Sequence, residues 1–99
     1  MEIFGRPEKE LRRNAPARAP YVVWEHVVMR ARWTKFEDVR AARPDVDKVG
    51  SCYVFNLGGN KFRLIAKIRF AAQGREGVVD VRALMTHAEY DKSAWTGDC

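Results

Sequence analysis

Two runs of alternating apolar and polar residues, on either side of Gly58-Gly59-Asn60, dominate the chain. The first places Tyr53, Phe55 and Leu57 on one side; the second places Phe62, Leu64, Ala66, Ile68 and Phe70 on one side. Period-two alternation around a Gly-Gly-Asn turn predicts a β-hairpin from Tyr53 to Phe70. The opposite side of the second strand carries Lys61, Arg63, Ile65, Lys67 and Arg69. One face can therefore build a core while the other is cationic. No Asp or Glu occurs from Ser51 to Arg75, so this face is either a solvated surface or a platform for anions.

The same patterning organises the rest of the chain. Met1–Phe4 alternates weakly, as an edge strand does. Pro7 suits a first helical turn, with Glu8 and Glu10 at its start and Arg12 and Arg13 at its end, an order matched to the helix dipole. Asn14, Pro16 and Pro20 mark residues 14–20 as a connection. Tyr21, Trp24, Val28 and Ala31 recur at helical spacing, with Val27 widening the stripe, and predict a helix over Tyr21–Arg32. Its adjacent valines also permit a strand. Trp24 and Trp33 are expected in the core, and His26 on the exposed side.

Thr34-Lys35-Phe36-Glu37 has the capping-box form and predicts a short helix ended by Pro44, with Phe36, Val39 and the stem of Arg40 facing inward. Val46–Gly50 reads as a turn leading into the hairpin. Val78–Met85 predicts a third strand, antiparallel to the second, with Val79, Val81, Ala83 and Met85 on one side and Asp80, Arg82 and Leu84 on the other. Thr86-His87-Ala88-Glu89-Tyr90-Asp91-Lys92 then concentrates polar and titratable groups at a strand exit. Trp95 is expected to tuck the end of the chain down, and Gly97–Cys99 to fray.

At 99 residues, this pattern amounts to one domain, residues 1–99, of α+β class: N-terminal helices on a small antiparallel sheet. Charge adds a direction. The net charge is +5, and twelve of the eighteen basic residues are arginine. The guanidinium fork matches phosphate oxygens, so a polyanion partner is indicated. Cys52 and Cys99 lack metal-ligand spacing and read as free thiols of a reducing cytoplasm. Neither a leader pattern at Met1 nor an apolar run near the ~18 residues of a membrane span is present, so a cytoplasmic location without membrane contact is expected.

Candidate chemistry is limited. His26 and His87 are far apart, and neither HExxH nor CxxC occurs, which argues against a metal site. Gly58-Gly59 does not precede a helix, as a phosphate-cradling loop would, and no Ser or Cys has an evident base partner. No cofactor is indicated. One chemistry open to these residues is metal-independent cleavage of RNA by its own 2′-hydroxyl; the other reading of a strand-end His beside a Glu and a Tyr is a plain surface cluster. Such cleavage needs a base, an acid, and cations for the transition state. Arg63, Lys61 and Arg82 on strands can supply the charge; His87, Glu89 and Tyr90 lie beyond the third strand.

Three stretches, FNLGGNKFRLIAKI, THAEYDK and WTKFEDVRAARPDVDKVG, together resemble the HigB family of bacterial toxins, within the RelE-like toxins of type II toxin–antitoxin modules. The resemblance runs from about Trp33 to Lys92; residues 14–20 depart from it. It implies the RelE-like toxin fold and a ribosome-dependent endoribonuclease acting on messenger RNA. The implied partners are a HigA-like antitoxin with a helix-turn-helix domain, through which DNA is contacted only indirectly, and messenger RNA in the A site of the small ribosomal subunit. By resemblance Arg63, in Phe62-Arg63-Leu64, is the catalytic phosphate ligand. His87 matches a basic position after the last strand, and Tyr90 a functional C-terminal tyrosine. Two lysines of RelE are replaced here by Val54 and Asn56. Lys61 then supplies the missing charge, and either Glu89 or His87 the base. Asn56, Asn60, Lys67, Arg69, Arg82 and Lys92 are the candidate RNA contacts. A non-catalytic RNA-binding module on the same face, or a protein-interaction domain, is the alternative.

Overall fold

The hairpin becomes the centre of a larger sheet. In the computed structural model, which describes residues 1–99, the elements are β1 (Glu2–Phe4), α1 (Glu8–Arg13), α2 (Arg18–Arg30), α3 (Phe36–Ala42), β2 (Asp47–Val49), β3 (Cys52–Leu57), β4 (Phe62–Arg69), β5 (Val78–Thr86) and α4 (His87–Asp91). Short 3₁₀ turns occupy Ala15–Ala17 and Ala94–Asp98. The five strands lie in the order β1-β5-β4-β3-β2. β3 and β4 pair antiparallel from Tyr53↔Ala66 to Leu57↔Phe62. Gly58 and Gly59 turn between them at φ +62° and +68°, where a side chain would be strained.

The class is α+β as expected, but the sheet is mixed. β1 pairs parallel with β5, Glu2 opposite Val78 and Phe4 opposite Asp80. The three helices between β1 and the other strands provide the long connection that a parallel pair requires. The expected turn at Val46–Gly50 contains the edge strand β2, which pairs with β3.

α2 starts three residues before the predicted helix and ends two before it. Residues 14–20 are thus no plain connection. Pro20 falls in the first helical turn, where its missing N–H leaves no hydrogen bond unmade. Tyr21, Trp24 and Val28 are wholly buried along one stripe, each contributing roughly 1.5–3 kcal/mol by removal from water. Trp24 meets Phe55 edge-on at 5.4 Å, and Trp33 stacks on the same ring at 6.4 Å. His26 is exposed.

The predicted capping box at Thr34 does not form. Lys35 takes the cap position, so Asp38 rather than Glu37 becomes the third helical residue. The Thr34 N–H and hydroxyl both donate to Asp38, at 2.9 and 3.0 Å, and these bonds hold that carboxyl below its ordinary range. Arg40 is exposed rather than inward, its guanidinium 5.9 Å over Phe36.

The third strand breaks its expected alternation. Ile65 pairs with Ala83 but Ala66 with Val81, so Arg82 is an extra residue in β5. This bulge resets the parity. Val79, Val81 and Leu84 face the main core, whereas Ala83 and Met85 face the other side. There they join a second cluster with Cys52, Val54, Ile65, Tyr90 and Trp95. Both sheet faces therefore carry apolar packing, and β3 is buried on both.

The cysteines are not free. Cys52 and Cys99 form a disulfide across a separation of 47 residues, with Cα atoms 5.2 Å apart. Consequently Gly97–Cys99 does not fray. The Ser51 N–H and hydroxyl donate to the Cys99 carbonyl at 2.9 and 3.2 Å. Gly50, at φ +58°, lies so close to that carbonyl that a Cβ would collide with it. No helix is long and apolar enough to cross a membrane.

Candidate functional site

The site begins with a residue that alternation sends to the cationic face. Arg63, opposite Asn56 on β3 and Met85 on β5, is only 7% exposed and is the one charged residue in the buried set. A buried guanidinium must have its N–H groups satisfied. One terminal nitrogen donates to the Asn60 and Phe62 carbonyls, both at 3.2 Å. The other donates to Asn60 Oδ1 at 2.6 Å and to His87 Nδ1 at 2.7 Å. The Gly58–Lys61 turn thus acts as a cradle: by curling back, it delivers a carbonyl and an amide oxygen to the arginine beside it.

His87 reaches Arg63 because β5 runs directly into α4 there. The His87 N–H donates to the Lys61 carbonyl at 3.0 Å, clamping the strand exit to the hairpin turn. A guanidinium only donates, so Nδ1 is the acceptor and the ring proton lies on Nε2. Nε2 sits 3.2 Å from the Asp91 carboxylate, one helical turn on. Asp91, His87 and Arg63 therefore form one ordered line. α4 is started by a capping box at Thr86-His87-Ala88-Glu89, which has the same form as the stretch at Thr34. Glu89 N–H donates to Thr86 Oγ1 at 3.2 Å, and Thr86 N–H donates to Glu89 Oε1 at 3.0 Å.

Tyr90 covers the arginine, its ring centroid 5.3 Å from the guanidinium carbon. Trp95 stacks on Tyr90 at 4.7 Å and 17°, and its Nε1–H donates to the Tyr90 carbonyl at 2.8 Å. A parallel indole and a guanidinium cannot share one ring face at these distances, so each takes a face. Arg13, Met85, Glu89 and Trp95 help line a neighbouring hollow of about 390 Å³.

The candidate residues divide accordingly. Arg63, His87, Tyr90 and Asn60 come together. Glu89 is held in the capping box, and the Thr86 N–H pulls its carboxyl below the ordinary range, making it a weaker base. Lys61 gives its carbonyl to His87 while its side chain is exposed. Asn56 is half-buried and accepts from Arg43 through its carbonyl at 2.8 Å. Arg69 donates to the Glu76 carbonyl, and Lys92 is exposed. Lys67 and Arg82 face the C-terminal segment. Arg82 donates to both Asp98 oxygens, at 2.8 and 3.2 Å, and Lys67 lies 3.5 Å from one of them.

Three participants were not anticipated in these positions: Asp91 behind His87, Trp95 against Tyr90, and Asp98 on the cationic face. The i,i+4 spacing of His87 and Asp91 signals the first, given a helix there. Nothing local signals Asp98. No three His, Cys, Asp or Glu side chains converge as a metal would need. The arrangement places a fixed cation, a neutral imidazole with its acceptor nitrogen on that cation, and an aromatic cover within one turn of chain.

Residues 17–93 match the family model of the HigB toxin, described as the RelE-like toxic component of a toxin–antitoxin system. The mRNA interferase toxin HigB of Escherichia coli K12 is 33% identical over 69 residues, covering 67% of this chain and 62% of that protein. The mRNA interferases HigB of Escherichia coli O157:H7 and Shigella flexneri match to the same extent. The chain thus spans about three-fifths of the length of these curated relatives.

Proposed function

The chain belongs to the HigB toxin family, the RelE-like toxic component of a toxin–antitoxin system, and from this we propose that it is an endoribonuclease that cuts messenger RNA in the A site of the small ribosomal subunit. The reaction needs no metal and uses the RNA 2′-hydroxyl as nucleophile. Its setting is cytoplasmic, and its partner is a HigA-like antitoxin with a helix-turn-helix domain that neutralises it and carries the pair to DNA.

The observation that carries this reading is the contact of Arg63 with His87 Nδ1 at 2.7 Å, beneath the Tyr90 ring. A scissile phosphate competes with His87 for that Arg63 nitrogen. When the guanidinium turns to a non-bridging phosphate oxygen, the Nδ1 lone pair is released beside the substrate. His87 then takes the 2′-hydroxyl proton, and Asp91 at Nε2 stabilises the imidazolium that forms. Arg63 meets the added negative charge of the phosphorane-like transition state from a rigid strand, an effect typically worth about 10²–10³ in rate per donor. Lys61, exposed on the turn, adds charge. Asn60 orients Arg63, and a base can stack on the Tyr90 face that Trp95 covers once Trp95 moves aside. The P–O5′ bond then breaks, the leaving 5′ oxygen takes a proton from water, and cleavage leaves a 2′,3′-cyclic phosphate and a 5′-hydroxyl.

Primer extension on ribosomes stalled at a defined codon tests the proposal. New 5′ ends within the A site are expected with wild type, and none with Arg63→Ala or His87→Ala at unchanged circular dichroism. Ribosome or RNA binding without cutting by the wild type would replace the enzyme with a non-catalytic binding module.

A further inference from the structure

The cationic face is empty of acids along β3 and β4, Asp80 on β5 takes one Arg82 nitrogen at 2.8 Å, and Arg82 and Lys67 share a further occupant. The occupant is the end of the chain. Asp98 accepts from Arg82 in fork geometry and lies beside Lys67, as a phosphate would. Trp95 stacks on Tyr90, as a nucleobase would. These two side chains are three residues apart on the 3₁₀ turn Ala94–Asp98, where positions i and i+3 eclipse. They therefore project from one side, an aromatic plane and an anion on a common stem.

We propose that Tyr90, Lys67 and Arg82 form a nucleotide subsite for RNA, and that Ser93–Cys99, tied down by the Cys52–Cys99 bond, fills it as an internal mimic. This rests on the RNA reading above and extends it from the scissile phosphate to a neighbouring nucleotide.

Apart from the disulfide, the segment is held by individually weak contacts. Asp98 is an exposed partner, so its ion pairs are screened by salt. The stack on Tyr90 and the two Ser51 bonds to the Cys99 carbonyl add to them. The covalent bond changes their weight by keeping the mimic at high effective concentration over the subsite. RNA must then compete with a tethered ligand.

Reduction removes the tether. Cys52 is wholly buried and Cys99 only partly, so a dithiol attacks Cys99 Sγ. The S–S bond breaks, Cys52 leaves as thiolate and takes a proton, and the reductant is joined to Cys99. Its second thiol displaces Cys99 as a thiol. Two electrons and two protons pass to the protein, and the reductant becomes a cyclic disulfide. Tyr90 then gains a ring face, and the Lys67 ammonium and the Arg82 Nε and second terminal nitrogen, released from Asp98, become available to phosphate, while the other Arg82 nitrogen stays on Asp80 at 2.8 Å. The site is closed when oxidised and open under the reducing conditions of a cytoplasm.

The test measures binding of a fluorescent 2′-O-methyl RNA pentanucleotide, which the protein cannot cleave, by anisotropy at fixed salt. It compares protein with the disulfide confirmed by intact mass, the same protein in dithiothreitol, and Cys99→Ser. The reduced protein and Cys99→Ser are expected to bind about tenfold or more tightly than the oxidised protein, with no response of Cys99→Ser to reductant. Trp95→Ala, with its disulfide intact, is expected to bind more tightly than oxidised wild type, which keeps the idea testable if Cys99→Ser folds poorly. Equal binding in both redox states, weaker binding on reduction, or persistence of two titratable thiols after oxidation overturns the proposal. Redox-dependent binding without ribosomal cleavage would sink the nuclease and keep the mimic. Cleavage with redox-independent binding would do the reverse.

Discussion

Breaking the Cys52–Cys99 bond is predicted to weaken the fold without abolishing it. The cross-link joins residues 47 positions apart. For a loop of that size the chain-entropy relation gives a loss of about 4 kcal/mol when the unfolded chain is freed. Measured losses usually fall at or below this figure, so an expected range of about 2–4 kcal/mol follows. Total stability for a small domain is about 5–15 kcal/mol. The reduced protein should remain folded because its main core does not depend on the bond. Trp24, Phe55, Leu64 and Val79 are wholly buried in a cluster that contains neither cysteine. Equilibrium urea denaturation of oxidised wild type and Cys99→Ser, followed by tryptophan fluorescence and circular dichroism, measures the difference. The variant should also show a larger m-value, since an uncrosslinked unfolded chain exposes more surface. A difference below about 0.5 kcal/mol with unchanged m-value would refute the reasoning. It would mean that the unfolded chain is not constrained by this link, and that the C-terminal segment contributes little to the fold.

Three further outcomes are expected. Arg63→Lys should lose about 10²-fold or more in cleavage rate at nearly unchanged ribosome affinity, because an ammonium cannot bridge Asn60, His87 and a phosphate as the fork does; single-turnover kinetics read this. Asp91→Asn should slow cleavage about 10-fold and move the pH–rate profile, whereas Lys92→Ala on the same helix should leave the profile in place. Thr86→Ala should cost about 1 kcal/mol through the lost cap. Glu89 is held below the ordinary glutamate range chiefly by the Thr86 N–H, so its stabilising effect is fully present above that range and fades as pH falls through the lowered value. Thr86→Ala keeps that N–H and removes only the hydroxyl bond to the same carboxylate, so only the hydroxyl's share of the difference should shrink between about pH 6 and about pH 3 in urea melts.

Alternation made β3, β4 and the core face of the hairpin legible, because burial on one side forces a period of two. It failed in β5, where Arg82 is inserted and each residue beyond it changes face. A bulge leaves no mark in a hydrophobic pattern that either parity satisfies: Val79, Val81, Ala83 and Met85 form an unbroken apolar row. The capping boxes show the same limit. Thr34–Glu37 and Thr86–Glu89 have the same form, yet only the second forms. The difference is set by where each helix begins, and β5 fixes that for α4 through its pairing with β4. Arg63 and His87 could be named as candidates from sequence. Their 2.7 Å contact depends on the turn and the strand exit meeting, which no local spacing encodes. The acidic partner of the cationic face was hidden for a similar reason. Asp98 lies outside the acid-free stretch, beside the Cys99 that is bonded to Cys52.

The two faces of the sheet consequently do different work. Against the helices, Tyr21, Trp24, Phe55 and Leu64 make a packed layer with no charged group in it. On the other face a small apolar cluster surrounds the disulfide, and cations stand around its margin. Arg63 sits where this second layer ends, at the turn end of β4. A fully solvated arginine there would be screened by water, and one within the main core would be unreachable. At the margin it is dry enough for its bonds to Asn60 and His87 to be strong, and the Tyr90 ring stands over it, backed by Trp95. Those rings belong to the segment that follows β5, outside the sheet. Access to Arg63 can therefore change without disturbing β4, the strand that fixes its position.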